Sequence, residues 1–335
     1  MKTNLRLLTR TALALALFVL AVGSRAALAQ ETLTGTWTGS VGGEKFGPKF
    51  GKKFEKDDDD DDDDAEVRNE RGNGLHLSLE RRTERGSHNQ MGQTFDFSEL
   101  QGITREQAQG TGPVRFALVR EAGRVDLEGS FQNGKGSGTY TFTPSGNFIS
   151  AMKGRGFDFE KQDSWHERGE PENRVFAAAM LNVTTALADD LLSADFGKLD
   201  VDDLFKAAIF KVDSKFMREM KASGYPGLRM EELVKARIFK IDAAFLREVA
   251  RNGFDKEPFE HLIKMRIFKI TPEFVAEIRN EGLNNLDIED LVKMRIFNID
   301  ADFIRRARAE GIPIEVETLV QERIGVRRRQ RSRVQ

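Results

Sequence analysis

The sequence predicts an α+β protein: a small antiparallel β-sheet or partly open barrel, followed by an α-helical hairpin repeat solenoid. Three observations carry this expectation. Between Leu33 and Thr143, apolar residues alternate with polar or small ones, the period of strands with one buried face. From about Pro171 a unit recurs every 29 residues, visible in Ile209, Ile238, Ile267 and Ile296, in Phe216, Phe245, Phe274 and Phe303, and in Gly224, Gly253, Gly282 and Gly311. A period of that size marks stacked supersecondary units whose apolar faces are buried only against neighbours. Finally, the 335 residues include no cysteine, so both halves rely on apolar burial and local structure.

In chain order, residues 1–29 read as a secretory signal. Lys2, Arg6 and Arg10 supply the positive start, and the apolar run Thr11 to Gly23 is too short for a comfortable membrane span. Ala27-Leu28-Ala29 before Gln30 is a small-x-small cleavage site; the alternative is a retained N-terminal anchor. The expected localisation is therefore export, periplasmic or secreted.

The β domain is placed at 30–143. Gly35-Thr36-Trp37 on its first strand is similar to the Gly-x-Trp start of small ligand-binding barrels of the lipocalin kind, although a tryptophan there also serves as a core plug. An insertion follows at about 44–70, with Phe46, Phe50 and Phe54 spaced among lysines and then eight consecutive aspartates, Asp57 to Asp64. The aspartate run lacks the graded oxygen spacing and bending glycine of a calcium hand. It reads as a solvated acidic loop that attracts calcium only loosely. Further strands are marked by Leu75, Leu77 and Leu79, by Val114, Phe116 and Leu118, by Val125, Leu127 and Phe131, and by Tyr140 and Phe142. Glu121-Ala122-Gly123 and Gln132-Asn133-Gly134 are the turn signals. The count comes to about six strands.

Residues 144–170 are expected to hold a helix and a linker. Gly156-Phe157 follows Phe148 as Gly282-Leu283 follows Phe274, the trace of a lone second helix after Thr143-Pro144. Trp165-His166-Glu167, the most unusual polar-aromatic cluster, reads as part of the linker.

Five helical-hairpin repeats with a terminal cap are placed at 171–325, ahead of a basic tail at 326–335. In the unit Asp287 to Gly311, Asp287 caps a helix with Ile288, Leu291, Val292 and Ile296 on one face. Asp300 caps a second helix carrying Phe303, Ile304 and Ala307, and Gly311 ends it by permitting a left-handed residue. Thr271-Pro272 is the matching start one unit earlier. A degenerate first unit covers about Pro171 to Phe196, and Leu319 with Ile324 suggests the closing helix. Helices of roughly ten residues are marginal alone and must stack.

Charge recurs in the same register. Lys235, Lys264 and Lys293, preceded by Lys206, carry Arg237, Arg266 and Arg295 two residues on, while Glu219, Glu248 and Glu277 recur on the second helix. Lys235, Arg237, Lys264, Arg266, Lys293 and Arg295 are thus candidate partner-binding residues, a basic stripe facing an acidic partner. The alternative is a ladder of ion pairs between repeats, each rung worth less than about 1 kcal/mol. Nucleic acid is disfavoured by export and by the lack of aromatics interleaved with the ladder. Pairs such as Asp189-Asp190 and Glu231-Glu232 read as solvated faces.

Catalytic chemistry finds no foothold. There is no cysteine nucleophile, Gly136-Ser137-Gly138 lies in a strand, and phosphate loops and dinucleotide fingerprints are absent. The expectation is a non-enzyme with no cofactor and no metal.

The string Asp290-Leu291-Val292-Lys293-Met294-Arg295-Ile296-Phe297-Asn298-Ile299-Asp300-Ala301-Asp302-Phe303-Ile304 resembles tandem repeats that lie behind the membrane domain of bacterial beta-lactam-sensor-type antirepressor metallopeptidases. Gly136 to Pro144 resembles the strand that leads into them, and the likeness covers roughly Leu75 to Gly325. That family often has His-Gly where this chain has Phe210-Lys211, Phe239-Lys240 and Phe268-Lys269. Its zinc site needs two histidines four apart with a glutamate beside the first, whereas His76, His88, His166 and His261 never have that spacing. The resemblance implies an exported sensor-like or interaction module without its peptidase, binding a protein partner in the bacterial cell envelope. The alternative is a carrier of a small apolar ligand, with a cavity lined by Trp37, Phe116, Leu127 and Tyr140.

Overall fold

A computed structural model describes residues 32–42, 74–82, 88–161, 171–255 and 257–325. The expected signal segment 1–29, the expected insertion with Asp57 to Asp64, Trp165-His166-Glu167 and the arginine-rich residues 326–335 lie outside the described residues. The chain is α+β and divides into two compact units, Met1–Thr185 and Ala186–Gln335. The division falls inside the degenerate first repeat.

The first unit holds seven antiparallel strands: β1 (Leu33–Val41), β2 (Leu75–Arg82), β3 (His88–Phe95), β4 (Leu100–Gln101), β5 (Thr111–Arg120), β6 (Gly123–Gln132) and β7 (Lys135–Pro144). They are ordered β3-β2-β1-β7-β6-β5-β4, so the first strand is inserted beside the last. The alternation expected from the sequence holds, since Leu75, Leu77, Leu79, Phe116, Leu118, Val125, Leu127 and Phe131 are all buried. β3 carries no such pattern. As the outermost strand it pairs through its backbone with β2 alone, which a polar sequence permits.

Trp37 is 1 % exposed and stands in one row with Gly138 of β7 and Gly129 of β6. Its indole reaches across both glycines, and Nε1–H donates to the carbonyl of Glu128 at 3.1 Å. A Cβ on Gly129 would come within 2.8 Å of the Trp37 ring, so glycine here is the floor on which the indole lies. Phe116 meets the indole edge-on at 5.4 Å and Phe131 lies at 5.6 Å. Leu127 and Tyr140 are 1 % and 2 % exposed beside them. The four side chains nominated as a cavity lining therefore pack on one another and on their neighbours.

Among the described residues this unit holds three α-helices: α1 (Arg105–Gln109), α2 (Gly146–Gly154) and α3 (Pro171–Met180). α2 begins at Ser145, whose hydroxyl accepts from the Phe148 amide at 3.3 Å, and ends with Gly156 at φ 94°. α3, the first helix of the degenerate repeat, packs on the sheet: Phe176 stacks on Tyr140 at 5.5 Å, and Arg81 Nη1 donates to Asn173 Oδ1 at 3.0 Å.

The second unit carries α4 (Thr185–Leu192), followed by four helix pairs and a closing helix. The pairs are α5 (Val201–Phe210) with α6 (Ser214–Ala222), α7 (Met230–Ile238) with α8 (Ala243–Arg251), α9 (Phe259–Ile267) with α10 (Pro272–Asn280), and α11 (Ile288–Ile296) with α12 (Ala301–Ala309); α13 (Val316–Arg323) closes the array. Each second helix starts on one device. The Asp213, Asp242 and Asp300 carboxylates and the Thr271 hydroxyl accept from the amide three residues on, always a phenylalanine. Gly224, Gly253, Gly282 and Gly311 end these helices at φ 71° to 98°. First helices end instead on left-handed Lys211, Lys240, Lys269 and Asn298, at φ 49° to 57°, the first three being positions where the resembled repeats often carry glycine. The following amide (Val212, Ile241, Ile270, Ile299) then donates back to the carbonyl five residues earlier, turning its side chain into the core.

Candidate functional site

The six nominated basic residues fall into two sets with separate tasks. The lysines form a ladder along the first helices. Lys206 donates to Glu231 at 2.6 Å and Lys235 to Glu260 at 2.8 Å; Lys264 pairs with Glu289, and Lys293 donates to Glu317 at 2.5 Å. Each rung joins one repeat to the next. The Lys206 ammonium beside Glu231 holds that carboxyl below its ordinary range, and Glu317 raises Lys293. All these partners are substantially exposed, so solvent screens the rungs.

The arginines stack on rings of the preceding repeat. Arg295 follows Ile288 by seven residues and Leu291 by four, which puts it on the buried stripe of its helix. Its guanidinium sits 3.8 Å above the Phe274 ring of the preceding repeat, and Nη2 donates to the Lys269 carbonyl at 2.6 Å. Arg266 repeats both contacts, over Phe245 at 3.9 Å and to the Lys240 carbonyl at 2.7 Å. Arg237 lies 3.8 Å above Phe216, near the Asp213 carboxylate at 3.8 Å. Burial pushes the Arg295 guanidinium below its ordinary value, and its Nε, like that of Arg237, is buried with no hydrogen-bond partner. In these joints the face of the cation is used more than its edge. The structure thus places all six residues in intramolecular joints.

Three further expectations change. Asp190, taken from the sequence as part of a solvated face, caps α6 from outside: its carboxylate accepts from the Ser214 hydroxyl at 2.6 Å and the Ser214 amide at 2.8 Å. Of the pair Glu231-Glu232, Glu231 is a ladder rung, and Glu232 accepts from the Arg229 amide at 2.7 Å. The expected core position Ile296 is instead 52 % exposed. Because Arg295 occupies the buried stripe, the next residue falls outside it.

The isoleucines at this position form an unusual surface of the second unit, each directly behind an arginine (Arg237, Arg266, Arg295 or Arg323) except Ile209, which follows Ala208. Ile209, Ile238, Ile296 and Ile324 are 43–52 % exposed, and Ile267 at the equivalent position is partly so. Ile209, Ile238, Ile267 and Ile296 lie in the last turn of a first helix, each three residues beyond a ladder lysine, and Ile324 directly follows α13. Packed helices run about 8–10 Å apart, so the isoleucines succeed one another at roughly that interval beside the Lys–Glu ladder. The 29-residue spacing of Ile209, Ile238, Ile267 and Ile296 was legible; their exposure was not.

Among the described residues no cluster of histidine and carboxylate groups is arranged to hold a metal ion. No single described helix is long and apolar enough to cross a membrane. Comparison with protein-family models, curated proteins and solved structures finds no match to this chain.

Proposed function

We propose that this chain is an exported, non-enzymatic interaction module that binds a protein partner in the bacterial cell envelope through its helical repeats. The observation that carries the reading is the row of isoleucines at one repeat position. Four large aliphatic side chains at least 43 % exposed, aligned by the repeat itself, form an unusual surface for a soluble chain to leave uncovered. The flanking Lys–Glu ladder supplies a polar rim, the composition of an interface with an apolar centre. Export rests on the N-terminal 29 residues, and the resemblance to repeats of sensor-type proteins points the same way.

The test is recovery of a partner from the envelope fraction by the full chain, compared with an Ile238→Asp/Ile296→Asp variant. Both sites are exposed, so the variant should keep its helical circular dichroism and thermal midpoint. The expected outcome is one protein enriched by the wild type and reduced about ten-fold or more by the variant. Equal recovery by both would remove the isoleucine row from the interface.

A further inference from the structure

The joints between second helices differ at one position. Arg308 on α12 donates to the Glu281 carbonyl at the end of α10 at 2.6 Å and to the Glu281 carboxylate at 2.7 Å. Arg279, 29 residues earlier, donates to the Asn252 carbonyl at the end of α8 at 3.1 Å, its guanidinium 5.6 Å from the Phe254 ring. Two units before Arg279 the same register holds Lys221, but between them stands Ala250. The arginine that straps one second helix to the last carbonyl of the previous one in the two later joints is therefore replaced by alanine in the joint of α6 and α8.

A cleft of about 430 Å³ opens where it is missing, lined by Ala250, Ser223, Tyr225, Glu219, Asp255 and Arg247 among others. The Ser223 carbonyl is the counterpart of the Asn252 and Glu281 carbonyls that accept from arginine in the later joints. Tyr225 is the counterpart of Phe254, and its ring is fixed by a hydroxyl hydrogen bond to the Glu257 carbonyl at 2.9 Å and by Phe259 at 6.1 Å. Glu219 and Asp255 bring two carboxylates to the lining and Arg247 one cation. Arg247 does not bar a second guanidinium. Its counterpart two units on, Arg305, shares the Glu281 carboxylate with Arg308, at 2.6 and 2.7 Å; Ser223 stands in the place of Glu281 here, so Glu219 and Asp255 supply the balancing charge.

We propose that this cleft binds a guanidinium group supplied from outside the chain, in the place that an arginine at 250 would fill. The carbonyl, the aromatic face and the carboxylates match the edge, the plane and the charge of that group, whereas an ammonium meets them as a compact point charge without a planar fork or a stacking face. The source is a partner's arginine side chain, which rests on the interaction reading above, or a free arginine-like molecule.

The experiment is amide NMR of the full chain titrated with N-acetyl-arginine methylamide and, separately, with its lysine analogue. The expected result is saturable shifts at Ser223, Tyr225 and Asp255 with a dissociation constant on the order of millimolar, about five-fold weaker or worse for lysine. Ala250→Arg should abolish the response by filling the cleft with its own guanidinium, and Ala250→Met should do so without charge. Absence of saturable shifts in the wild type, or undiminished shifts in both folded variants, overturns the proposal. An arginine-containing peptide binding about ten-fold tighter than the amide assigns the source to a protein, and free arginine binding best assigns it to a small molecule. These shifts are read without any partner present, so failure to recover a partner leaves them intact, and their absence leaves the isoleucine row untouched.

Discussion

Trp37 in the sheet and Arg295 in the repeat array are both flat groups laid on a neighbour, but what supports them differs. Beneath the indole are Gly138 and Gly129, residues at unique addresses on two strands, and around it stand Phe116 and Phe131. Beneath the guanidinium is a phenylalanine that recurs in four successive repeats, and beside it a carbonyl that recurs too. A sheet core concentrates its packing in one contiguous set of rings, so loss of one is felt throughout. An array distributes its stability over equivalent joints, each sensed mainly by its neighbours.

Trp37→Ala tests the concentrated side and should have the largest effect. Removing a fully buried indole costs about 3–5 kcal/mol, read as a fall in the urea midpoint of the near-ultraviolet signal. Arg295→Ala tests the distributed side. Loss of one cation–aromatic contact and one charge-assisted hydrogen bond should cost about 1–3 kcal/mol by urea unfolding followed at far-ultraviolet wavelengths. Arg323 lies farther from its ring, 5.1 Å from Phe303, so Arg323→Ala should cost less than Arg295→Ala. Equal losses at Trp37 and Arg295 would break the contrast between the two units.

Asp190→Asn sharpens the comparison at the start of the array and should have the smallest effect, about 1 kcal/mol at pH 7. The hydroxyl and amide of Ser214 hold the Asp190 carboxyl below its ordinary range. A depressed folded value means that the stabilisation is present above the unfolded carboxylate value and is lost as pH falls through the folded one. The wild-type advantage in thermal midpoint should therefore shrink below about pH 4. An advantage unchanged down to pH 2 would assign the difference to shape and not to charge.

The parts of the fold legible in the sequence were those decided within one helix or one strand. Asp300 three residues before Phe303, Thr271 before Pro272 and Gly311 after α12 announce their caps without reference to anything distant. β3 was illegible because an edge strand need not advertise a buried face. The charged ladder was visible as a recurrence, but the roles of Lys293 and Arg295 were not, since they depend on how one repeat is rotated against the next. The isoleucine row was hidden for the same reason. Ala250 did leave a trace, as the one uncharged residue in the register Lys221, Ala250, Arg279 and Arg308.

The uniformity of the joints makes the array adjustable in length. Excision of residues 230–258, one period, would bring Glu260 to Lys206 and Arg266 to Phe216, each replacing an identical residue type at the same distance along the chain. It would also carry Arg279 to the Ser223 carbonyl, closing the cleft. A shortened chain should therefore fold as readily as the full one while losing this vacancy, so that reach and recognition are set by different numbers: how many units are strung together, and which one lacks its arginine.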